Sequence, residues 1–255
     1  MTQARAWLRR NRSTHAQFCP RSQASGATPC SPVLAGVFLQ WKDSQLVLTA
    51  TNGFRLSRRT IQLSAPAGAS CEAIVPARTL GELARSLDQA DESVEILVTA
   101  SGGQMLFRTS QLEIVSRLID GQFPDVVRVI PTHVVTRAVL DTQAFAQATK
   151  LASHFAAASA NITQLTLDLG NLEQPGTLTL RANAAAVGEN QSVLEGMVHG
   201  EAAQVALNVK YIAEALNAIS TSQIAVEMQA AKSPVVFKPV GSDDLVHVVM
   251  PMNVY

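Results

Sequence analysis

An α+β fold built from two tandem copies of one unit is what this sequence predicts. Three observations predict it: the chain repeats itself at a fixed spacing, its apolar period switches between two and about 3.6 residues, and its composition suits a packed core. Apolar residues make up 47% and charged residues 16%, a globular balance, and 255 residues are enough for two domains.

At a spacing of 132, "LVLTA" from Leu46 meets "LTLRA" from Leu178. Pro76, Arg78, Leu80 and Glu82 meet Asn208, Lys210, Ile212 and Glu214 at the same spacing. "SVEI" at 93–96 meets "AVEM" at 225–228, and "EIVSRLI" from Glu113 meets "LVHVVMP" from Leu245. No gap is needed along this stretch. The expected domains are 32–131 and 132–255, after an unmatched segment 1–31 that is expected to be disordered or aberrant.

Within the first copy, "GVFLQWKDSQLVLTAT" reads as a hairpin with its polar turn at Lys42–Gln45. "PARTLGELARSL" reads as a helix, with Leu80, Leu83 and Leu87 on one face and Pro76 near its start. "SVEILVTA", "QMLFRT" and "LEIVSRLI" follow as three strands. The second copy predicts strands at 163–169 and 177–183, a helix near 208–219, and strands at 223–229, 234–239 and 244–250. It opens with a strand at 136–140 and a helix at 141–155, whose apolar face is read as Phe145, Ala148, Leu151, Ala152 and Phe155. The repeat places a matching strand and helix at about 5–23, but "RAWLRRNRSTHAQFCPRSQ" lacks the apolar stripe and carries Pro20. The first copy's opening strand and helix are therefore expected to be degenerate.

Composition narrows the function. No apolar run approaches the roughly 20 residues of a membrane span, so a cytoplasmic protein without membrane contact is expected. Cys19, Cys30 and Cys71 lack metal-ligand spacing and suit a reducing compartment. The net charge of zero conceals five arginines and no acid in the first thirty residues, which leaves 15 basic against 20 acidic residues, a net of −5, in the remainder. No phosphate loop, paired-histidine zinc motif or nucleophile elbow is present, and the five histidines are widely spaced. A non-catalytic protein without cofactor or metal is expected.

Four signatures then stand in order: "TATNGFRL" at 49–56, "IVPARTLGEL" at 74–83, "SRLIDGQFPD" at 116–125 and "VVMPM" at 248–252. They resemble the bacterial DNA polymerase III β sliding clamp family, over its middle and C-terminal domains, with no counterpart of the family's N-terminal domain. The resemblance implies a DNA clamp fold in which each domain is a pair of βαβββ halves, helices inside and strands outside. It implies non-specific contact with double-stranded DNA through cations on the inner helices, here Arg78, Arg85, Lys150 and Lys210. It also implies an apolar pocket between the two domains that takes short linear peptides of DNA polymerase, clamp loader and repair proteins. Leu34, Thr51, Gly53, Arg55, Leu56, Pro124 and Val129 come to that pocket from the first copy. Asn208, Tyr211, Val248, Met250, Pro251 and Met252 come from the second. Phe54 stands where the family commonly has histidine, and Asn52 where it commonly has aspartate. Two functions follow: a processivity factor that encircles DNA, or a truncated clamp-like fragment or decoy that binds partner peptides without encircling it. The resemblance leaves the oligomeric state open.

Overall fold

In the computed structural model the described residues are 31–63, 70–87, 94–99, 102–171, 173–184, 188–230 and 233–252. They divide into two compact units, split between Asp125 and Val126. No helix among them is long and apolar enough to cross a membrane.

Unit 1 starts with a 3-10 turn, Pro32–Ala35, that leads into β1 (Gly36–Lys42). β1 pairs with β2 (Gln45–Thr51) as the expected hairpin, Lys42 facing Gln45, and Asp43 takes the left-handed conformation of its two-residue turn (φ 53). β3 (Arg55–Gln62) and β4 (Cys71–Pro76) flank this hairpin in the order β4-β1-β2-β3. Helix α1 (Ala77–Ser86) leaves β4 at Pro76, whose fixed φ and missing N–H cost nothing at a helix start. Leu80, Leu83 and Leu87 drop into a core with Leu39, Leu48, Met105 and Phe107. β5 (Glu95–Val98), β6 (Gln104–Arg108) and β7 (Glu113–Arg117) form a separate antiparallel sheet. Gly81 sits inside α1, and nothing lies within 4 Å of where its Cβ would be. Gly81→Ala is therefore expected to raise stability by about 1 kcal/mol, read as a higher urea midpoint at unchanged slope.

Unit 2 contains two βαβββ halves. The first is β8 (Thr136–Asp141), α2 (Thr142–Ala156), β9 (Ile162–Asp168), β10 (Gly176–Ala184) and β11 (Gly188–His199). The second is β12 (Ala203–Asn208), α3 (Val209–Ala218), β13 (Gln223–Met228), β14 (Val235–Pro239) and β15 (Leu245–Val249). The strands run in the order β12-β9-β10-β11-β8-β13-β14-β15, with β8 joining the halves by pairing with β11 and β13. Both helices carry side-chain caps: Asp141 accepts from the Ala144 N–H (2.7 Å) and Asn208 from the Lys210 N–H (3.0 Å). They pack on the sheet over a core that includes Phe145, Ile212, Leu165, Leu178 and Phe237.

Two expectations need correction. Leu151 is 48% exposed, because it lies about 240° around the helix from Phe145; Thr149 and Ala156 complete the buried face instead. The spacing of 132 holds for β2 with β10, β4 with β12 and α1 with α3, but not for the strands after those helices. Ile96 faces Phe107 and Val226 faces Phe237, a spacing of 130. Ile114 faces Phe107 and His247 faces Phe237, a spacing of 133. A connection two residues shorter after α3 and a β14–β15 hairpin three residues longer nearly cancel. Unit 1 shows one complete βαβββ half, β4-α1-β5-β6-β7, and the three strands β1–β3. The expected degenerate opening strand and helix at about 5–23, and all but Ser31 of the segment 1–31, lie outside the described residues.

Candidate functional site

In unit 1 the residues singled out from the sequence gather at one end of the β4-β1-β2-β3 sheet. β2 ends at Thr51 and β3 begins at Arg55, so the turn between them lies at the end where β1 begins. The Thr51 hydroxyl donates to the Arg55 carbonyl (2.8 Å) and accepts from the Gly53 N–H (3.1 Å). Asn52 Oδ1 accepts from the N–H groups of Phe54 (3.1 Å) and Arg55 (3.2 Å), while the Asn52 N–H donates to the Arg55 carbonyl. Gly53 supplies the positive φ of +87° that closes the turn. Asn52 thus performs by side-chain amide oxygen the turn closure that a carboxylate there would perform. Thr51, Arg55 and Leu56 are buried, and Leu56 stands outside the core cluster of its unit. Leu34 is half-buried in the turn before β1. Pro124 is exposed, brought alongside by Phe123, which stacks on Phe38 of β1 at 4.9 Å.

In unit 2 the tail decides the arrangement. After β15 the chain turns across to β12, where the Met252 N–H donates to the Ala206 carbonyl (2.8 Å). This fixes Met250, Pro251 and Met252, all half-buried, near the β12 end that carries Asn208. Tyr211, in the first turn of α3, packs against the unit's core and is half-buried. Val248 is 1% exposed and lies on the face of β15 opposite Leu245 and Val249, so it offers no free surface. Val129 is 38% exposed in a 3-10 turn (Val127–Val129) that falls in unit 2 by the split of the chain.

Arg78, Arg85, Lys150 and Lys210 are all exposed, on α1, α2 and α3. Arg78 and Lys210 occupy the first turns of their helices, where the helix dipole disfavours a cation by about 0.3–1 kcal/mol. Arg85 is engaged by Glu82 at 2.5 Å. Lys150 lines a 420 Å³ open cleft between α2 and α3 with Gln143, Gln147, Ser153 and Asn217 above a floor of Ala146, Ala213 and Leu216. No group of three side chains suited to hold a metal ion occurs among the described residues.

The family model of the DNA polymerase III beta subunit central domain matches residues 22–125, and that of its C-terminal domain matches 127–253. The chain belongs to the DNA polymerase III beta subunit family. It is 27% identical to the beta sliding clamp of Bacillus subtilis over 226 residues, covering 88% of this chain and 58% of that protein. It is 29% identical to the beta sliding clamp of Synechococcus elongatus over 231 residues, covering 90% and 60%. Among solved structures, the B. subtilis DNA polymerase sliding clamp superposes with a TM-score of 0.85 at 26% identity, over 99% of this chain and 63% of that one. The Pseudomonas aeruginosa DNA polymerase III subunit beta gives 0.82 at 26%, over 98% and 65%. The chain spans about three fifths of the length of the curated relatives it matches.

Two features of this DNA polymerase III beta relative went unread in its sequence. Phe54, at the tip of the Thr51–Leu56 turn, is 64% exposed, which its place between two turn-forming residues and a strand signals only weakly. The polar rim around Lys150 joins residues of α2 and α3 that are about seventy apart in sequence, and no local period reports such a pairing.

Proposed function

We propose that this chain acts as the central and C-terminal part of a sliding clamp: a non-catalytic, cytoplasmic processivity factor for the replicative DNA polymerase. It grips short apolar peptides of polymerase, clamp loader and repair proteins with the residues of the Leu56 turn and the Met250–Met252 tail. Its helices turn Arg78, Arg85, Lys150 and Lys210 toward duplex DNA. The observation that carries the peptide role is the tail, where a backbone hydrogen bond to β12 holds two methionines half-exposed. Methionine adapts its flexible, polarisable side chain to different apolar ligands. The DNA role is supported by charge: the three helices hold four lysine and arginine side chains against Glu82 and Glu214, of which Glu214 is buried. Two of those cations sit where helix stability alone would not place them.

Titration of a labelled Gln-Leu-x-Leu-Phe peptide tests the peptide role. The wild type is expected to bind in the micromolar range and Met250→Ala about tenfold more weakly, a loss of about 1.4 kcal/mol. Equal binding by both, or none by either, refutes the assignment. The Arg85–Glu82 ion pair removes part of the helical charge and favours a second reading, a fragment or decoy that binds peptides without encircling DNA. Retention on a nicked circular duplex separates the two, since a decoy binds peptide but is lost from the circle.

A further inference from the structure

We infer that the outward face of the β5-β6-β7 sheet is a self-association surface, on which a second copy of this chain packs face to face about a two-fold axis. Met105 and Phe107 point into the core, so their neighbours point outward. Leu97 faces Leu106, and Leu106 faces Val115, which sets three apolar side chains in one row across the sheet. Leu97 is 42% and Val115 63% exposed, and Leu106 is half-buried. The corresponding row of unit 2, Glu227, Val236 and Val248, is buried throughout. Unit 1 therefore presents to solvent an apolar row whose counterpart is covered.

The charges beside the row identify the occupant. On one side Arg108 lies between Glu95 (3.4 Å) and Glu113 (2.5 Å); on the other side Arg117 stands beside Gln104, its partner across the strands. A rotation of 180° about an axis along the apolar row lays each apolar residue over its own copy and exchanges the two sides. Glu113 of one protomer then comes over Arg117 of its partner, and the reverse, giving two ion pairs around an apolar centre. Such self-complementarity is the signature of an isologous contact, and two sheets stack in this way about 10 Å apart. Three side chains make a small contact, so the dimer is weak.

Sedimentation equilibrium of the full chain over a wide concentration range tests this. The average mass of the wild type is expected to climb from 27.2 kDa toward twice that value, while Val115→Glu stays at 27.2 kDa throughout. Arg117→Glu is expected to weaken association at least tenfold, and the charge exchange Glu113→Arg with Arg117→Glu to restore it, which a merely structural role of either residue does not explain. A wild type that remains at monomer mass overturns the inference. So does a Val115→Glu protein that associates as strongly as the wild type, or a charge exchange that fails to recover what Arg117→Glu loses.

Discussion

Phe237→Ala is expected to destabilise unit 2 by about 3–5 kcal/mol, the usual cost of emptying a buried phenylalanine site. Phe237 is fully buried on β14, and its ring lies 6.5 Å from that of Phe145 at a tilt of 32°. The pair ties helix α2 to the second half of the sheet, so the lost ring removes contacts from both layers at once. Neighbours from α2, held by their own backbone hydrogen bonds, can close only part of the void. Guanidinium unfolding should show a much lower midpoint at an unchanged slope. Val193→Ala, at a site 55% exposed on β11, should stay within about 0.5 kcal/mol of wild type. A loss below about 1 kcal/mol for Phe237→Ala would mean that the ring does not join the layers as placed.

The helices and the hairpins were legible because their period is clean. Leu80, Leu83 and Leu87 predict α1, and the alternation of Leu178 and Leu180 with threonine predicts β10. β3 and β11 were not legible. "RLSRRTIQ" carries three arginines, and every second residue of "GENQSVLEGMVH" is exposed while few of the others are large and apolar. Their place in the sheet comes from pairing with β2 and β10, a tertiary effect that overrides weak local preference. The repeat was legible, but its register in the strands after α1 and α3 was not. A slip of two residues keeps strand alternation intact, and "LVHVV" is apolar at nearly every position, so an odd slip passes unnoticed too. For the candidate site, the tail was readable as a strand followed by an exit. Its hydrogen bond to Ala206 joins segments far apart in sequence, and Val248 is buried although it lies on the face of β15 opposite the core residues Leu245 and Val249, which no local period reports.

Gly200→Ala should be the most damaging single-methyl addition in the chain's second unit. Gly200 follows β11 and turns the chain toward β12 with φ +99°, a conformation that L side chains rarely adopt. That strain alone costs about 1–3 kcal/mol. A Cβ there would also stand 1.7 Å from the Val135 carbonyl oxygen, deep inside contact distance, and backbone cannot rotate away as a flexible side chain can. Relief would require parting the turn from the start of β8, where the Thr136 hydroxyl donates to the Glu201 carbonyl (2.7 Å) and Arg137 pairs with His199. β8 joins the two halves of the sheet, so the disturbance falls on the strand that holds them together. Gly241→Ala isolates the second contribution: Gly241 also has a positive φ, +83°, but nothing lies within 4 Å of its Cβ position. Thermal melts of the two variants should rank Gly200→Ala well below Gly241→Ala. If the two melted together, the close approach of Val135 would carry no weight and strain alone would account for the glycine.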